Sequence, residues 1–373
     1  MVKEKTASVS NIIFQKTPAA GIDISIPEKS GRIDCSHLLI RGTNWLGDSV
    51  LSLPAILYLK KTRPRLKLSL IIPEKLHNFF KPFKIFHSIF PLAPIKNFKD
   101  ELKTLKYLKK AGQRNRFTHA VSFPSSWRSY FQLRAFGVKS LISFHPFCRR
   151  RVPAFLAADR HEKYRYFQLL SPFLPAGEVG DLIPPPFPFT LPENSRLLPF
   201  LTAKEEKKFI GIFPGSAYGT AKCYPPEKFA RVIMALLQEE NVNIFLFGSP
   251  EERALCQALV GQVQNSKRVF NFAGKISLCE SLAFLLYLDV LLCNDSGPMH
   301  VAGFFNLPNL ALFGSTDLTG TAPAGRNSFI LHNKLDCSPC KKRICPLPEH
   351  LCMPGIPPDI ILQGIEKVVS SKT

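Results

Sequence analysis

A strand, a glycine-containing turn and a helix follow one another at two separate places in this sequence. In the first, an apolar run at 37–41 leads through such a turn into a run at 50–59 whose apolar residues recur with helical period. In the second, an apolar run at 209–213 precedes a predicted helix at 226–239. Repeated units of this kind form parallel sheets covered by helices. We therefore predict an α/β protein with two Rossmann-like, doubly wound parallel-sheet domains.

A proline-rich stretch at 173–192 separates the two halves. Proline removes hydrogen-bond donors and stiffens the backbone, so we interpret this stretch as a connection rather than a packed element. The first 34 residues carry no secretory signal, and we expect them to be poorly ordered and the protein to be cytoplasmic. We expect the last helix, 358–369, to pack against the first domain. The predicted organisation is an extension (1–34), a first domain (35–180), a linker (181–205), a second domain (206–355) and a C-terminal helix (356–373).

The positive charge of the chain is concentrated in its first half. Residues 1–190 contain 31 of the 49 lysines and arginines but only 12 of the 28 acidic residues. A field of this sign favours anionic partners such as acidic lipid headgroups, phosphorylated glycans or nucleic acid, although a solvated lysine-rich surface gives the same count. The basic residues match no nucleic-acid recognition module, so we expect no nucleic-acid partner. The sequence has no apolar run of about 18 residues, so no membrane-spanning helix is predicted.

The turn after the first strand contains Gly42-x-x-Trp45-x-Gly47-Asp48. Open α/β sheets bind their ligands at the carboxyl ends of the strands, where this turn lies. There Asp48 can accept the proton of an attacking hydroxyl group as a general base. The alternative is that Asp48 stabilises the start of the next helix through capping and the helix dipole. In the same turn, Asn44 and Trp45 are candidate contacts for an acceptor substrate.

The corresponding turn of the second half reads Pro214-Gly215-Ser216-x-x-Gly219-x-x-Lys222. Small residues let backbone N–H groups approach a phosphate, and a lysine adds a positive charge. We therefore predict phosphate contacts from Ser216, Gly219 and Lys222. The pattern is neither a Walker A sequence nor G-x-G-x-x-G, and an ordinary turn with a solvated lysine is the alternative.

A third turn, NDSGPMH, follows the predicted strand at 290–293. An Asn, Asp or Ser here can cap the next helix, and the free N–H groups at that helix start form an anion site. The histidine lies one turn into the helix and can reach a phosphate or a sugar, although a lone histidine in a helix is more often structural. We predict donor contacts from Asn294, Asp295, Ser296, Gly297, Met299 and His300.

Two more polar positions of the second half follow strands. Gly314 and Ser315 come after the predicted strand 309–313 and are expected to line the same crevice, unless they form an ordinary polar loop. Glu252 follows a Gly-Ser-Pro turn and is placed to accept hydrogen bonds from ribose hydroxyls. An exposed glutamate at a helix start is the equally weighted alternative.

In the basic half, Ser125-Ser126-Trp127-Arg128 follows the predicted strand at 118–123. Hydroxyl groups, an indole face and a guanidinium suit a sugar or phosphate acceptor. Ser126 and Arg128 are therefore candidate acceptor contacts. The alternative is an amphipathic helix start in which Trp127 is buried.

The last four of the ten cysteines form a Cys-x2-Cys-x4-Cys-x6-Cys cluster. The other six are scattered, several of them inside apolar runs, and are predicted to be reduced thiols. A structural zinc site with four thiolates is one interpretation of the cluster, and an iron–sulfur cluster, free thiols or a labile disulfide are others. The candidate ligands are Cys337, Cys340, Cys345 and Cys352.

Taken in order, three stretches of the sequence resemble glycosyltransferase family 9, the lipopolysaccharide heptosyltransferases. They are GTNWLGDSVLSLPAI, FPGSAYGTAKCYPPEKFARV and NDSGPMHVAGFFNLPNLALFGSTD, and the tail CSPCKKRICPLPEHLCM is similar to the tails of some members. The resemblance spans roughly 36–368. Its PGSxxGxAKxxP form is more similar to heptosyltransferase II than to heptosyltransferase I. Tyr224 stands where a tryptophan is usual, and Cys223 where an arginine often precedes it.

The resemblance implies the GT-B architecture, in which two Rossmann-like domains face a central cleft and bind the acceptor in the first and the nucleotide sugar in the second. It implies transfer of heptose from ADP-L-glycero-D-manno-heptose to the Kdo or heptosyl-Kdo-lipid A inner core, with inversion. Asp48 would be the general base, and Lys222 with the turn 294–300 would hold the diphosphate, so no cofactor is required for catalysis. The basic half would face phosphorylated lipid A at the inner face of the inner membrane, as a peripheral protein.

The residues leave three other interpretations open. One is a GT-B enzyme that uses another nucleotide sugar. A second is an inactive scaffold, against which the presence of Asp48 and Lys222 speaks. A third is a non-enzymatic, basic nucleic-acid-binding protein with a zinc module, whose binding would depend strongly on salt.

Overall fold

The structure of the protein is a computed structural model, which describes residues 11–17, 24–28, 33–115, 117–146, 161–180, 183–264, 266–348 and 350–371. The chain forms two compact units. The N-terminal unit is Gly21–Pro188, and the C-terminal unit is Phe189–Thr373 together with Met1–Ala20. Each unit contains a largely parallel sheet, which confirms the predicted α/β class.

Strands and helices alternate along most of the chain. The strands are β1 (Ile12–Lys16), β2 (Ile24–Ile26), β3 (His37–Arg41), β4 (Lys67–Pro73), β5 (Ser88–Leu92), β6 (His119–Ser122), β7 (Ser140–Ile142), β8 (Gly177–Val179), β9 (Lys208–Phe213), β10 (Val242–Leu246), β11 (Val269–Asn271), β12 (Val290–Asn294), β13 (Asn309–Phe313) and β14 (Ser328–Asn333). The helices are α1 (Leu46–Thr62), α2 (His77–Phe80), α3 (Phe98–Arg114), α4 (Trp127–Ala135), α5 (Lys163–Leu170), α6 (Leu198–Leu201), α7 (Pro226–Leu236), α8 (Arg253–Gln262), α9 (Leu278–Phe284), α10 (Gly297–Phe304), α11 (Leu318–Thr321) and α12 (Pro358–Ser370). None of these described helices has the length and apolarity needed to span a membrane.

Five strands of the N-terminal unit form a parallel sheet in the order β5-β4-β3-β6-β7. The chain starts in the middle at β3, builds outward to β5 and then crosses to β6 on the other side of β3. The strand order therefore reverses between β3 and β6, and open α/β sheets bind ligands beyond the carboxyl ends of the strands at such a point. Helices α3 and α4 cover one face over a core that includes Leu39, Leu108 and Leu133.

The C-terminal unit has a seven-stranded sheet in the order β1-β14-β13-β12-β9-β10-β11. All its strands are parallel except β1. Strands β10, β12, β13 and β14 are buried at every position, as expected of a parallel sheet with helices on both faces. Helices α7, α8 and α12 contribute Val232, Leu259 and Ile365 to the core. The order reverses between β9 and β12, which places a second binding crevice at the carboxyl ends of those strands.

The N-terminal segment differs from the predicted poorly ordered extension. Its residues 12–16 form β1, which pairs antiparallel with β14, and Phe14 stacks on Phe329 with ring centroids 5.4 Å apart. Residues 24–26 form β2, which pairs with β8 in the N-terminal unit. The prediction is wrong for these described residues because their partners lie far along the chain, where local sequence gives no signal.

The predicted linker and C-terminal helix also differ from expectation. The division between the units falls after Pro188, and the following segment belongs to the C-terminal unit, since Leu197 is fully buried there and Ser195 donates a hydrogen bond to Glu280 at 3.0 Å. Helix α12 packs on α7 and the sheet of its own unit, where Ile365 is buried. The expectation that it packs against the first domain is therefore wrong.

A half-buried histidine, His37, makes the stability of the N-terminal unit dependent on pH. Burial, helped by the nearby charges of His87 and Lys67, lowers the pKa of His37 to about 4, and His37 Nε2 lies 2.8 Å from the Ser69 hydroxyl oxygen. An unfolded histidine titrates near about 6.5. Between these values the unfolded state binds more protons, so we expect the free energy of unfolding to fall as the pH drops from about 6.5 towards about 4. Urea unfolding across this window should show a smaller fall for His37→Gln than for the wild type. Parallel curves for the two proteins would contradict the assignment.

Candidate functional site

The carboxyl ends of β3 and β6 are held together at the reversal point of the N-terminal sheet. The Phe123 N–H donates to the Arg41 carbonyl at 3.0 Å, and the Gly42 N–H donates to the Ile71 carbonyl at 2.9 Å. A side chain at Gly42 would press on Ile72, with its Cβ 2.6 Å from the Ile72 methyl carbon. Glycine therefore lets the turn leave β3 close to its neighbour β4. The predicted general base and the predicted acceptor contacts lie in or just after the two turns that follow β3 and β6.

Asp48 lies in the first turn of α1 and is half-buried. The N-cap residue of this helix is Trp45, which makes no side-chain capping bond. Asp48 therefore does not cap the helix, and only the helix-dipole part of the alternative interpretation applies to it. The helix dipole still favours a carboxylate at this position. A hydrogen bond between the Thr43 and Ser49 hydroxyls, 2.8 Å apart, stabilises the turn that precedes Asp48.

Tyr166 on α5 is a neighbour of Asp48 that the sequence did not indicate. It is buried, and burial followed by the negative charge of Asp48 raises the pKa of its phenol well above the usual value. The phenol therefore stays protonated at neutral pH and is a polar group within electrostatic range of the carboxylate. Helix α5 packs along α1, which positions the pair.

Arg41, the last residue of β3, is a second unpredicted component of this crevice. Only 4% of the residue is exposed, and its guanidinium donates to Gln132 Oε1 at 2.9 Å, to Asn44 Oδ1 at 2.8 Å and to the Gly42 carbonyl. Burial, with the charge of Arg128 nearby, lowers the pKa of Arg41 to about 10, so it remains a cation at neutral pH. No carboxylate lies within ion-pair distance of it in the described part of the chain. The network fixes the Asn44 amide and places an unbalanced positive charge behind the turn.

The two predicted acceptor contacts of the first turn reach solvent. Asn44 is exposed although its side-chain oxygen is held by Arg41, so its amide N–H groups point away from that bond. Trp45 is 40% exposed, and Lys75 Nζ lies 4.8 Å from its ring centroid. Both side chains are therefore accessible to a ligand at this end of the sheet.

The two predicted contacts of the β6 turn are engaged in local structure. Ser126 is the N-cap of α4, and its hydroxyl oxygen accepts the Ser129 N–H at 3.2 Å. Arg128 pairs with Glu101 at 2.8 Å. Trp127 is 51% exposed, so the alternative in which this residue is buried is wrong.

Asn294 ties together two turns at the reversal point of the C-terminal sheet. Its side chain is fully buried and donates to the Pro214 carbonyl at 2.6 Å, while its Oδ1 accepts the Tyr224 N–H at 3.1 Å. The turn after β9 and the turn after β12 are thereby held in one arrangement. Asn294 thus has its side chain occupied by the protein, and its part in the predicted site is to position these turns.

Lys222 and Asp295 form an ion pair in this crevice, with Nζ 2.8 Å from Oδ2. The lysine side chain is 11% exposed and the aspartate side chain 3%, so the lysine is the more exposed partner. The Thr316 hydroxyl donates to the same carboxylate oxygen, and Lys222 Nζ lies 4.5 Å from the Tyr218 ring centroid. Asp295 was predicted to contact the donor, but a carboxylate repels a phosphate, so its position suits holding the lysine instead.

Helix α10 begins beside this ion pair. Ser296 is its N-cap without a side-chain capping bond, and its hydroxyl donates to the Asn294 carbonyl at 3.1 Å. Pro298 has no N–H and the Met299 N–H is used within the turn, so the Gly297 N–H and the helix dipole supply the partial positive charge that favours an anion. His300 follows one turn later and is 7% exposed. Met299 is fully buried and its N–H donates to Ser296, so its side chain and N–H are unavailable to a ligand, contrary to its predicted contact.

Glu252 lies against the glycine turn that follows β9. Its Oε2 accepts the Ser249 N–H at 2.7 Å in a capping box, and a side chain on Gly215 would collide with its Oε1. One carboxylate oxygen of Glu252 therefore stabilises the helix start, as the alternative interpretation expects. The other oxygen stands beside the turn that carries Ser216, so a hydrogen bond to a ribose stays a prediction.

Gly314 and Ser315 directly follow β13, next to the same crevice. Gly314 lies under Met353 and Cys352, whose sulfur atoms are 2.8 and 2.9 Å from the position of an added Cβ. The Ser315 hydroxyl is buried and has no hydrogen-bond partner among the described residues, while its carbonyl accepts the Lys341 N–H at 2.7 Å. A buried hydroxyl without a partner is an available hydrogen-bonding group for a ligand or water.

The cysteine-rich segment packs directly on the two loops of this crevice. The Ala221 N–H donates to the Arg343 carbonyl at 3.0 Å, and the Tyr218 hydroxyl donates to the Lys341 carbonyl at 2.9 Å. Burial, with the other three thiols nearby, raises the pKa of Cys352 to about 11. Within the described residues no three His, Cys, Asp or Glu side chains are arranged to hold a metal ion. Zinc at Cys337, Cys340, Cys345 and Cys352 stays a prediction, and the observed role of the segment is to brace the loops.

Gly219 is a position where this bracing requires glycine. Its φ of 152° is unfavourable for residues with a side chain, and an added Cβ would collide with the Arg343 carbonyl oxygen. We expect Gly219→Ala to lower the free energy of unfolding by about 1–3 kcal/mol, measured by urea denaturation. Gly261→Ala is the matched control, because that glycine lies in α8 with open space around its Cα, and alanine there should stabilise by about 0.5 kcal/mol. Equal effects at the two positions would show that the loop tolerates a side chain.

Comparison with known proteins gives consistent matches across the chain. The model of glycosyltransferase family 9 (heptosyltransferase) matches residues 106–351. Lipooligosaccharide heptosyltransferase 2 of Campylobacter jejuni is 28% identical over 348 residues, which are 89% of this chain and 98% of that protein. A family 9 glycosyltransferase from Veillonella parvula has a similar fold, with a TM-score of 0.73 and 19% identity over 91% of this chain and 98% of that one. The E. coli ADP-heptose lps heptosyltransferase II also has a similar fold, with a TM-score of 0.68 and 19% identity over 90% of this chain and 99% of that one.

Proposed function

This chain belongs to glycosyltransferase family 9, and from that premise we propose that it transfers heptose to the inner core of lipopolysaccharide or lipooligosaccharide. The donor in this proposal is ADP-L-glycero-D-manno-heptose, and the acceptor is a Kdo- or heptosyl-Kdo-lipid A. Two names support this choice: the Campylobacter jejuni relative is a lipooligosaccharide heptosyltransferase 2, and the E. coli structure is an ADP-heptose lps heptosyltransferase II.

The observation that carries the donor assignment is the Lys222–Asp295 ion pair beside the N-terminus of α10. A nucleoside diphosphate needs positive charge and N–H donors in one place, and this crevice offers an ammonium group and a helix start. Asp295 holds the ammonium group in place, and the lysine is the more exposed partner of the pair. Ser216 and Ser315 add hydroxyl groups, of which that of Ser315 has no partner among the described residues.

The proposed mechanism is a single displacement with inversion. The acceptor oxygen attacks the anomeric carbon, the bond from that carbon to the diphosphate oxygen breaks, and the acceptor proton passes to the Asp48 carboxylate. ADP leaves with the bonding electrons. Lys222 and the α10 N-terminus stabilise the negative charge that grows on the diphosphate, and interactions that strengthen in the transition state raise kcat.

On the acceptor side, the proposal assigns positioning to the Arg41 network. Arg41 orients Asn44, whose amide can then hydrogen-bond a hydroxyl or carboxylate of the acceptor sugar. The buried positive charge also favours an anionic acceptor such as a Kdo residue. Because Lys222 and the α10 N-terminus supply the positive charge in this mechanism, the proposal requires no cofactor for the chemical step.

The direct test is ADP release by the purified protein with defined donors and acceptors. ADP-heptose is supplied with Kdo-lipid A or heptosyl-Kdo-lipid A, and UDP-glucose, GDP-mannose and UDP-N-acetylglucosamine are supplied as competing donors. We expect turnover and a mass increase of the acceptor with ADP-heptose alone. Turnover with another donor would replace the sugar assignment but keep the transferase, and no product with any pair would reject the proposed reaction.

A further inference from the structure

Helix α3 of the N-terminal unit carries a stripe of unpaired lysines. Its two acidic residues are engaged at its start, because Asp100 accepts the Lys96 N–H at 3.1 Å and Glu101 pairs with Arg128. The five lysines of this helix are exposed and form no ion pair within the described part of the chain. They are Lys99, Lys103, Lys106, Lys109 and Lys110. The helix therefore presents more positive charge than the two acidic residues at its start can balance.

Large apolar side chains are exposed beside this stripe. Phe98 is 76% exposed and Leu102 43%, and their spacing of four residues puts them on one side of α3. On α4, Phe131 is 54% exposed and stacks on Trp127 with ring centroids 6.0 Å apart. Single exposed apolar residues are ordinary, but a group of four rings and branched chains on two adjoining helices is not.

The two helices lie side by side, so these residues share one face. The Glu101–Arg128 ion pair at 2.8 Å joins their first turns. Near their ends Gly112 of α3 lies against the Phe136 backbone, with no room for a side chain. The inward residues of α3 are Thr104 and Leu108, which leaves the lysine stripe and the Phe98–Leu102 edge outward. We call this surface the α3–α4 face, defined by Phe98, Leu102, Trp127, Phe131 and the α3 lysines.

We propose that the α3–α4 face docks on the surface of a bilayer that contains anionic phospholipids. Charge complementarity identifies this occupant: a lysine stripe attracts lipid phosphates without needing a fixed partner geometry, and exposed Trp, Phe and Leu insert at the headgroup level. The proposal rests on the proposed function in one respect, since a lipid-anchored acceptor places the substrate at such a surface. The face belongs to the same unit as Asp48, so docking would bring the acceptor-side residues to the membrane.

Vesicle flotation tests the docking directly. Wild-type protein is mixed with phosphatidylcholine vesicles with or without phosphatidylglycerol, at about 0.1 M and about 1 M salt, between which the Debye length falls from about 10 Å to about 3 Å. We expect binding to the anionic vesicles at low salt and release at high salt. Each lysine near an anionic surface raises partitioning about fivefold, so Lys103→Gln/Lys106→Gln/Lys110→Gln should lose at least tenfold.

An apolar variant and a matched control separate insertion from simple charge attraction. Phe98→Ser/Leu102→Ser should also lose at least tenfold in partitioning. Met234→Ser/Leu286→Ser removes two exposed apolar side chains from the C-terminal unit and should bind like the wild type. Unchanged binding of either α3 variant, or an equal loss in the control, would overturn the proposal. So would a wild-type dimer that the Phe98→Ser/Leu102→Ser change dissociates, because the face would then join two copies of the chain.

Fluorescence gives a second readout, because the chain has only two tryptophans. In a Trp45→Phe protein the remaining indole is Trp127, and we expect brominated lipids to quench it in anionic vesicles. Absence of quenching in a vesicle-bound protein would overturn the assignment of this face.

Activity assays distinguish a failure of docking from a failure of the proposed function. With an acceptor embedded in anionic vesicles, the α3 variants should lose at least tenfold in turnover. With the same inner-core oligosaccharide freed of its acyl chains, they should match the wild type. If the wild type binds vesicles but transfers no sugar to either acceptor, the proposed function fails and the docking stands.

Discussion

Replacing Asp48 by asparagine is expected to lower kcat about 100-fold or more while leaving ADP binding unchanged. Asparagine keeps the size and hydrogen-bonding reach of the side chain but cannot take the acceptor proton, and general-base catalysis is worth about 10²–10⁴-fold. The donor crevice lies in the other unit, so calorimetric titration with ADP should give the wild-type affinity. Steady-state ADP release with ADP-heptose and an inner-core acceptor measures the loss.

A helix-dipole effect must be separated from the loss of the base. Asp359→Asn is the matched control, because Asp359 lies in the first turn of α12, whose N-cap also makes no side-chain capping bond. Both changes should lower the free energy of unfolding by up to about 1 kcal/mol. Only Asp48→Asn should lower kcat. If Asp48→Asn turns over at the wild-type rate, Asp48 acts as a helix-stabilising residue and another group must accept the proton.

The strand–turn–helix units could be predicted because their signals are local. Strands such as β9 and β12 are continuous apolar runs that end in glycine or asparagine turns, and the structure places them close to the predicted limits. The pairing of β1 with β14 was not predictable, since Ile12 and Asn333 are partners across almost the whole chain. Helix α3 was not identified for a different reason: it is rich in lysine and only Thr104 and Leu108 of its residues are buried, so the segment contains too little apolar sequence to stand out.

Some features of the candidate site likewise have a local sequence signal, whereas others depend on partners that lie far along the chain. The turns that we propose to hold the diphosphate could be singled out because glycine, serine and lysine after a strand are suited to phosphate contacts. Sequence alone gave no reason to pair Lys222 with Asp295, which changed the role of the aspartate from a ligand contact to a partner of the lysine. The Arg41–Gln132 hydrogen bond joins residues 91 positions apart and likewise could not be predicted from local sequence. The predicted donor contact of Met299 is wrong because the sequence of a turn and helix start does not show which side chains face the core.

Replacing Lys222 by methionine is expected to lower kcat/KM by about 10²–10³-fold, the usual effect of removing one group that stabilises developing charge. The same change leaves the Asp295 carboxylate, whose side chain is 3% exposed, without its cation. Breaking a buried pair on one side destabilises a protein by up to about 3–5 kcal/mol, and partial exposure of the lysine reduces that figure here. Loss of activity in Lys222→Met alone therefore has two possible origins, catalytic and structural.

The double change Lys222→Met/Asp295→Asn separates these origins. Asparagine removes the unpaired charge and still accepts the hydrogen bond from Thr316, so the urea midpoint should return towards that of the wild type. The diphosphate would still lack its ammonium partner, so ADP affinity and kcat/KM should stay as low as in the single variant. Asp295→Asn alone completes the cycle, and we expect it to lower kcat/KM less than Lys222→Met because the lysine remains. Recovery of activity together with stability in the double variant would mean that Lys222 serves the fold and that the diphosphate is held elsewhere.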